Sequence, residues 1–520
     1  MSMSFLWGAA ISGYQAEGGY NGPGQPQTNW ADAEQRSRVD ALGQASDFLS
    51  HAGEDLERCR ALGLNAFRLS IEWSRVQPTF HNQPGPPPPF DAIAIEAYAA
   101  IVVRCRRLSL EPIVTLHHFV HPAWLGADPW LSPDTVPLFE QFALTVVRGI
   151  NQQLVQLGLE PIRYFITVNE PNMLVLSSYI GSQFPRGPRG GLRLAMRALI
   201  NLLEAHRVVY AAIHDGYQAE NWGRVQLTFN TYTSDIYWLD QFLTDVLMVR
   251  EFQVEKSAVA EFFWARARAF NRATDAFTSA HLGRTSRGLG LAIRHLGMQL
   301  GPRLLSLKEF KDLIDRLYAQ PRVLGLDYLA FDYYDPFSAH LFRWPRVRDW
   351  LEGKNQPFGG FRASFFSKWW DWRVLPEGLA FFAELLATNY PQKRLLIAEN
   401  GMAHRRDLDN TTVPRRDGLL RSEFIRLHVE VVDRIRTSGV PLMGYLHWSL
   451  FDNYEWGTYS ARFGLFSLDY TQDTERRAED HHGDCPSEAY ARAIQAARGG
   501  ARVVEPEPAP SAEDPQDCRL

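Results

Sequence analysis

Two segments of the chain end in the same way. In YFITVNEP (164–171) a largely apolar, β-leaning run delivers Asn169 and Glu170 before Pro171 stops it. In LLIAENG (395–401) an apolar run delivers Glu399 and Asn400 before a glycine. A lone carboxylate at a strand end is ordinarily a solvated loop residue, a helix N-cap or half of a salt bridge. Two of them aimed at one point are the equipment for cleaving a glycosidic bond. One protonates the leaving oxygen, and the other attacks the anomeric carbon or activates water. Glu170 and Glu399 are far apart in sequence, so the fold must bring the two strand ends together.

Eight strand-like runs alternate with helical stretches: Phe5–Ile11, Leu64–Ser70, Pro112–His117, Tyr164–Asn169, Val225–Asn230, Tyr328–Tyr334, Leu395–Glu399 and Met443–Trp448. Between them, 53–63, 94–109 and 422–439 show apolar residues at three- and four-residue spacing, and several of these stretches stop at Gly. This alternation predicts an α/β fold, a single (β/α)8 TIM barrel. A doubly wound open sheet is disfavoured, because no Gly-rich phosphate loop follows the first strand. In a barrel the fourth and seventh strands face one another, and the C-terminal strand ends share one mouth. The residues there are Gln15, Arg68, His117, His118, Asn169, Glu170, Asn230, Asp332, Tyr334, Glu399, Asn400, Trp448, Glu455 and Trp456. Such a set favours hydroxyls and sugar faces over plain water.

Residues 1–500 read as the barrel domain. The Pro- and acid-rich stretch 501–520 reads as a disordered tail. The segment 231–324 reads as a long, helix-rich insertion between the fifth and sixth strands. Its part 284–310 mixes Arg and His with an apolar face. It is expected to pack on the barrel, with a peripheral membrane or partner contact as the alternative.

The net charge of −5 gives no general attraction to nucleic acid or anionic membrane. Cys59, Cys105, Cys485 and Cys518 lack disulfide or zinc spacing, and Cys59 and Cys105 are expected as buried free thiols. No metal or cofactor motif is found. No basic n-region precedes SFLWGAAIS, which reads as the first strand, and no run reaches the ~18 apolar residues needed to span a bilayer. A cytoplasmic location is the expectation.

The chain resembles the family 1 glycoside hydrolases, the retaining β-glucosidase and β-galactosidase group. The resemblance runs through FLWGAAISGYQAEG (5–18), NAFRLSIEWSRVQP (65–78), TLHHFVHPAWL (115–125), TVNEP (167–171), IAENG (397–401) and HWSLFDNYEWGTYSARFGL (447–465). It implies Glu170 as general acid/base and Glu399 as nucleophile. It implies Arg68 beside Glu399, lowering its pKa, Tyr334 hydrogen-bonded to it, and Asn169 on the sugar 2-hydroxyl. Gln15, His118, Glu455 and Trp456 would bind the other hydroxyls. Trp448 would floor the sugar, and Trp372 would form a platform for the leaving group. Retention implies carboxyl groups ~5 Å apart.

Several features depart from the family pattern. Asp332 stands where Asn is usual, and a pairing with Arg or His would offset its charge. Val120 stands where Asp is common, and His121 is extra. The EWGTYSARF loop is one residue short, and the segment after Asn230 follows no family pattern.

The expected activity is hydrolysis of terminal unphosphorylated β-D-glucosides or β-D-galactosides through a covalent glycosyl-enzyme. Glu455 stands where a 6-phosphoglycosidase generally has Ser, in a loop where that branch also has Lys. The alternative is a transglycosylase passing the sugar to an alcohol or lipid. A sugar-binding barrel without turnover and a metal-dependent hydrolase are more distant readings.

Overall fold

The computed structural model describes residues 4–181, 183–321, 325–341 and 367–499. Its core is one parallel sheet built from β1 (Leu6–Ala10), β2 (Ala66–Ser70), β3 (Glu111–Thr115), β4 (Tyr164–Ile166), β5 (Gln226–Thr228), β6 (Asn230–Tyr232), β7 (Leu329–Tyr333), β8 (Leu395–Asn400) and β11 (Leu442–Trp448). The hydrogen-bonded order is β5-β4-β3-β2-β1-β11-β8-β7-β6. The two edge segments, β5 and β6, are separated only by Phe229. They are therefore one stretch of chain that closes the sheet into an eight-fold barrel. β5 pairs with β4 and β6 pairs with β7, all in parallel.

Both faces of the sheet are buried, which is why its strands read as near-continuous apolar runs. Leu6, Ala10, Ala66, Ile113, Ile166, Ala330, Leu396, Ala398 and Leu446 fill the barrel. Their neighbours Ala9, Phe67, Val114, Phe165, Phe331 and Ile397 face outward into the helical layer. The helix Thr135–Gln156 shows how that layer is made: Val136, Phe139, Phe142, Ala143, Val146, Ile150 and Leu154 form one buried stripe. Helix Ala92–Arg107 starts where Asp91 accepts from the N–H groups of Ile93 (2.8 Å) and Ala94 (3.2 Å).

The sequence expectations hold for the barrel, with corrected boundaries. The fourth strand ends at Ile166 instead of Asn169, and the fifth is broken at Phe229. The helices expected at 53–63, 94–109 and 422–439 are Phe48–Ala61, Ala92–Arg107 and Arg421–Thr437. A small antiparallel sheet, β10 (Thr412–Val413), β9 (His404–Arg406) and β12 (Ala461–Arg462), was not anticipated.

The insertion contributes helix Gln241–Met248 and three longer ones in succession, Val259–His281, Arg284–Ser306 and Lys308–Ala319. The middle one is fastened by Arg294, which reaches Asp235 (2.8 Å) and Asp275 (2.5 Å), while Leu289, Leu291 and Leu296 stay exposed. No described helix is long and apolar enough to cross a membrane. Cys59, Cys105 and Cys485 are free, the first two buried. Cys518 and the tail 501–520 lie outside the described residues.

Candidate active site

The site is organised by a buried arginine. Arg68, on the inner face of β2, is fully buried. Its Nη1 donates to Glu399 Oε1 (2.7 Å) and to the Ala398 carbonyl (3.1 Å). Its Nη2 donates to Asn169 Oδ1 (2.5 Å), and its Nε to Thr115 Oγ1 (3.0 Å). One guanidinium thus ties together the ends of β2, β3 and β8 and the segment after β4.

Strict alternation would send Glu399 the wrong way. Leu396 and Ala398 point into the barrel and Ile397 points out, so position 399 should also point out. The pairing register with β7 runs Phe331 to Ile397 and then Asp332 to Glu399. β8 therefore holds one extra residue, Ala398, at a bulge. Such an insertion re-aims the side chain that follows it and frees the bulged backbone group. Here it turns Glu399 to the inner face beside Asp332, and the Ala398 carbonyl accepts from Arg68. Gly401 completes the turn: any Cβ there would lie 2.0 Å from the Trp448 carbonyl oxygen. Tyr334 donates to the second oxygen of Glu399, Oε2, at 2.9 Å.

Glu170 stands directly before the short helix Pro171–Val175, with Pro at its first position. Its carboxylate makes no capping bond. Its backbone is left-handed (φ +37°) although a proline follows, a combination the residue before proline normally avoids. Strain of roughly 1–3 kcal/mol in such a residue persists only where the surroundings impose it, and it gathers at functional sites. Phe119 (φ +68°) and Trp456 (φ +43°) share this conformation near the same mouth.

One oxygen from each of Glu170, Asp332 and Glu399 lies within 4.8 Å of the others. Burial raises all three carboxyl groups above their ordinary range. Glu170 is pushed well above it, by burial first and then by the charges of Asp332 and Glu399. Asp332 is likewise raised well above it, by burial and then by Glu399. Glu399 is raised as well, against the opposing pull of Arg68 and Tyr334. The expectation that Arg68 leaves Glu399 with a lowered pKa is therefore corrected: desolvation outweighs the ion pair. The ranking is nevertheless the expected one, because Glu399 alone of the three is hydrogen-bonded directly to a cation. Three close oxygens could also ligate a cation, but Arg68 already supplies the countercharge on Glu399.

The remaining candidates gather around these groups. Glu455 accepts from Gln15 (2.6 Å) and Asn453 (3.0 Å), and burial raises its carboxyl group well above the usual range. The His118 ring lies between the indoles of Trp448 and Trp456, 5.7 Å from each and nearly parallel to both. Burial, aided by the Arg68 charge, keeps it neutral. Trp372 packs against Tyr334 at 5.2 Å. Among the described residues, Asn169 Nδ2, Asn230 Oδ1 and His118 Nδ1 are buried without a hydrogen-bond partner, while the carboxyl group of Glu170 faces Asp332 and the Trp448 indole faces Glu455. Buried polar atoms are normally satisfied, so such a cluster is what a polyhydroxylated ligand would complete.

His117 and His121 sit outside this group. The first packs edge-on against Trp130 and Phe139, and the second bonds the Gly126 carbonyl (3.1 Å). Asp332 has neither of the anticipated partners. Its bond comes from the Asn230 amide, which also donates to Asn169 (2.8 Å). Asn453 and Thr115 are not named as site residues from sequence, and Asn230 is named only among the residues of the mouth. Asn230 was visible as a polar strand end, whereas Asn453 and Thr115 carry no such signal.

A family model described as Glycosyl hydrolase family 1 matches residues 1–255 and 323–484. The gap between the two matched stretches takes in the three longer insertion helices, while Gln241–Met248 lies within the first stretch. The 6-phospho-beta-galactosidases of Staphylococcus aureus strains JH9 and N315 are each 26% identical over 482 residues, covering 91% of this chain and 94% of the relative. Among solved structures, a beta-glucosidase from Thermotoga maritima in complex with noeuromycin superposes with TM-score 0.64 at 19% identity, covering 95% of this chain and 98% of that one. The AHE enzyme from Alicyclobacillus herbarius superposes with TM-score 0.62 at 22% identity, covering 96% and 98%. At these identities the structural likeness speaks for the shared barrel.

Proposed function

The chain belongs to glycosyl hydrolase family 1 and is a retaining β-glycosidase, and on that premise we propose that it hydrolyses terminal unphosphorylated β-glucosides or β-galactosides with Glu399 as nucleophile and Glu170 as acid/base. The observation that carries the assignment of roles is the asymmetry of the carboxylates. Glu399 is gripped by Arg68 at 2.7 Å and Tyr334 at 2.9 Å, while Glu170 is bonded to no cation and faces the carboxyl group of Asp332.

Glu170 begins protonated and gives its proton to the leaving oxygen as Glu399 attacks the anomeric carbon. Esterification removes the charge of Glu399, one of the causes that raise Glu170. Glu170 is then the stronger acid, and its carboxylate accepts a proton from the water that cleaves the ester. The spacing within 4.8 Å fits direct attack, since an inverting pair stands about 6.5–9.5 Å apart to admit water. Tyr334 and Arg68 receive the carboxylate again as it departs. Asn169, fixed through its oxygen by Arg68 and Asn230, keeps its amide free for the 2-hydroxyl.

The relatives' name favours one other reading, a glycone phosphorylated at C6. The loop 449–464 argues against it. Its single cation, Arg462, is turned to the Leu468 carbonyl (3.2 Å) and Asp452 (3.9 Å). The loop's carboxyl group beside Gln15, Glu455, would meet the phosphate with like charge once ionised. Phosphate sites need free donors and cations. The free thiols Cys59, Cys105 and Cys485 support a reducing, cytoplasmic setting.

The test is a panel of aryl β-glycosides (glucoside, galactoside, fucoside, mannoside and the 6-phosphogalactoside) offered to wild type and Glu399→Ala, with and without an added alcohol acceptor. Turnover of an unphosphorylated member that collapses in the variant is expected. Turnover of the 6-phospho substrate alone would overturn the glycone assignment. Turnover only with acceptor would favour the transglycosylase.

A further inference from the structure

Away from the mouth, three histidines converge where the small sheet meets the turn before the last helix. His404 opens β9, four residues beyond Asn400. His481 and His482 lie in the turn preceding helix Pro486–Gly499. Ring centroids are 4.7 Å apart for His404 and His482, 4.1 Å for His481 and His482, and 6.2 Å for His404 and His481. One ring nitrogen from each lies within 4.8 Å of the other two.

Packing alone does not explain this arrangement. His404 is 2% exposed. Its Nε2 lies 3.1 Å from the Leu419 carbonyl oxygen, so it carries the proton and donates. That leaves Nδ1 as a bare lone pair, and it is buried with no partner among the described residues. A ring nitrogen held by a backbone carbonyl, with the opposite nitrogen free, is how proteins fix the tautomer of a metal-binding histidine. His481 Nε2 is a second buried nitrogen without a partner.

The turn that presents the other two rings is itself fixed. Asp480 accepts from the backbone N–H of His482 (2.8 Å) and of Asp484 (3.1 Å), while Arg421 grips its second oxygen (2.8 Å). Arg421 is the nearby cation, and it is balanced by Asp480 and by Asp452 at 3.1 Å. Burial keeps His404 and His481 neutral at neutral pH, the ligand form of imidazole.

We propose that His404, His481 and His482 form a site for a zinc-like divalent cation, with water as the fourth ligand, that staples β9 to the C-terminal turn. Nitrogens at about 2.0–2.1 Å from zinc stand closer together than 4.8 Å. The half-buried rings of His481 and His482 close that gap by rotating on the turn, while His404 stays in place. The bond set joins the strand that follows Glu399 to the segment that leads into the last helix. Its effect is on stability, and the glycosidase reaction does not pass through it.

The test uses the full chain, stripped with chelator and titrated with Zn²⁺ alone by calorimetry, then with Co²⁺ followed by its visible d–d bands. One equivalent should bind, with tetrahedral cobalt bands and a rise in Tm over the stripped protein. Loss of a ligand must weaken binding at least as much as loss of an outer-shell partner, about 10–100-fold. His482→Ala is the first variant because its ring is only partly buried. His481→Ala is the second. Each should match the stripped wild type in Tm without metal and lose the metal-dependent rise. Aryl glycoside turnover should be equal in stripped and loaded protein. Absence of a stoichiometric site in wild type, or zinc affinity in both variants equal to that of wild type, would overturn the proposal.

Discussion

Two buried clusters, each built around one arginine, follow opposite plans. In one, Arg421 reaches Asp452 (3.1 Å), Asp480 (2.8 Å), Ser467 (3.0 Å) and the Gly464 carbonyl (2.8 Å). The acids are also served by backbone donors, Gly464 N–H on Asp452 and His482 N–H on Asp480. Asp480 is held down at about 2, chiefly because Arg421 overcomes its burial. In the other, Arg68 is equally buried and equally well bonded, but three carboxyl groups share it and only Glu399 touches it. Their pKa values are pushed up, Glu170 and Asp332 face each other, and Asn169 and Asn230 each keep an atom without a partner among the described residues. In the structural cluster both carboxylates are fully bonded, and among the described residues only Arg421 Nε is left over. A reactive one leaves its bonding to be finished by a ligand and stores protons where the structural one stores fixed charge.

The largest expected contrast is in rate. Glu399→Gln, whose amide oxygen can still accept from Arg68, should lower kcat by about 10⁴-fold or more, read from aryl glycoside hydrolysis, with little change in Tm. Arg421→Met should do the reverse. Breaking a buried pair by removing one partner costs about 3–5 kcal/mol, seen as a lower midpoint in denaturant, while the folded fraction keeps the wild-type pH profile. If Arg421→Met shifted that profile, the separation of the two clusters would fail.

A smaller effect distinguishes the carboxylates from each other. Asp332 is the first charge, after burial itself, holding Glu170 up. Asp332→Asn removes that charge, so the basic limb of kcat/KM should move to lower pH. An unmoved basic limb would mean that Asp332 is not felt by the acid.

The smallest effect is on stability. A carboxyl group raised on folding contributes stability that is present below its unfolded value, near pH 4, and is lost as pH rises through the folded value. Glu170→Gln abolishes that loss. It should raise Tm at pH 7, and the difference should vanish near pH 4. A lower Tm at pH 7 would contradict the direction assigned to Glu170.

The strand ends that carry the site were legible because period and residue type coincide there: apolar runs stop at Asn169–Glu170 and at Glu399–Asn400. The direction in which Glu399 points was not. Alternation counted from Leu396 sends it outward, and only the bulge at Ala398, a property of the pairing with β7, turns it in. The net shift of Glu399 was equally hidden, since the sequence shows that an Arg is present but not how deeply the pair is buried. Asp332 was legible as a departure, while its partner, the Asn230 amide, depends on the break at Phe229 that shares the fifth strand between β4 and β7. The small sheet of β9, β10 and β12 escaped notice because two- and three-residue strands carry no periodic signal.

The central claim is that Glu399 forms the covalent bond to sugar. The most direct measurement is mass spectrometry of the protein after reaction with a 2-deoxy-2-fluoro-β-glycoside of the preferred glycone, whose glycosyl-enzyme hydrolyses slowly. The account predicts one added glycosyl group, found on the peptide that contains Glu399. A label on the peptide carrying Glu170 or Asp332, or rapid turnover of this reagent with release of the α-anomer as first product, would contradict it.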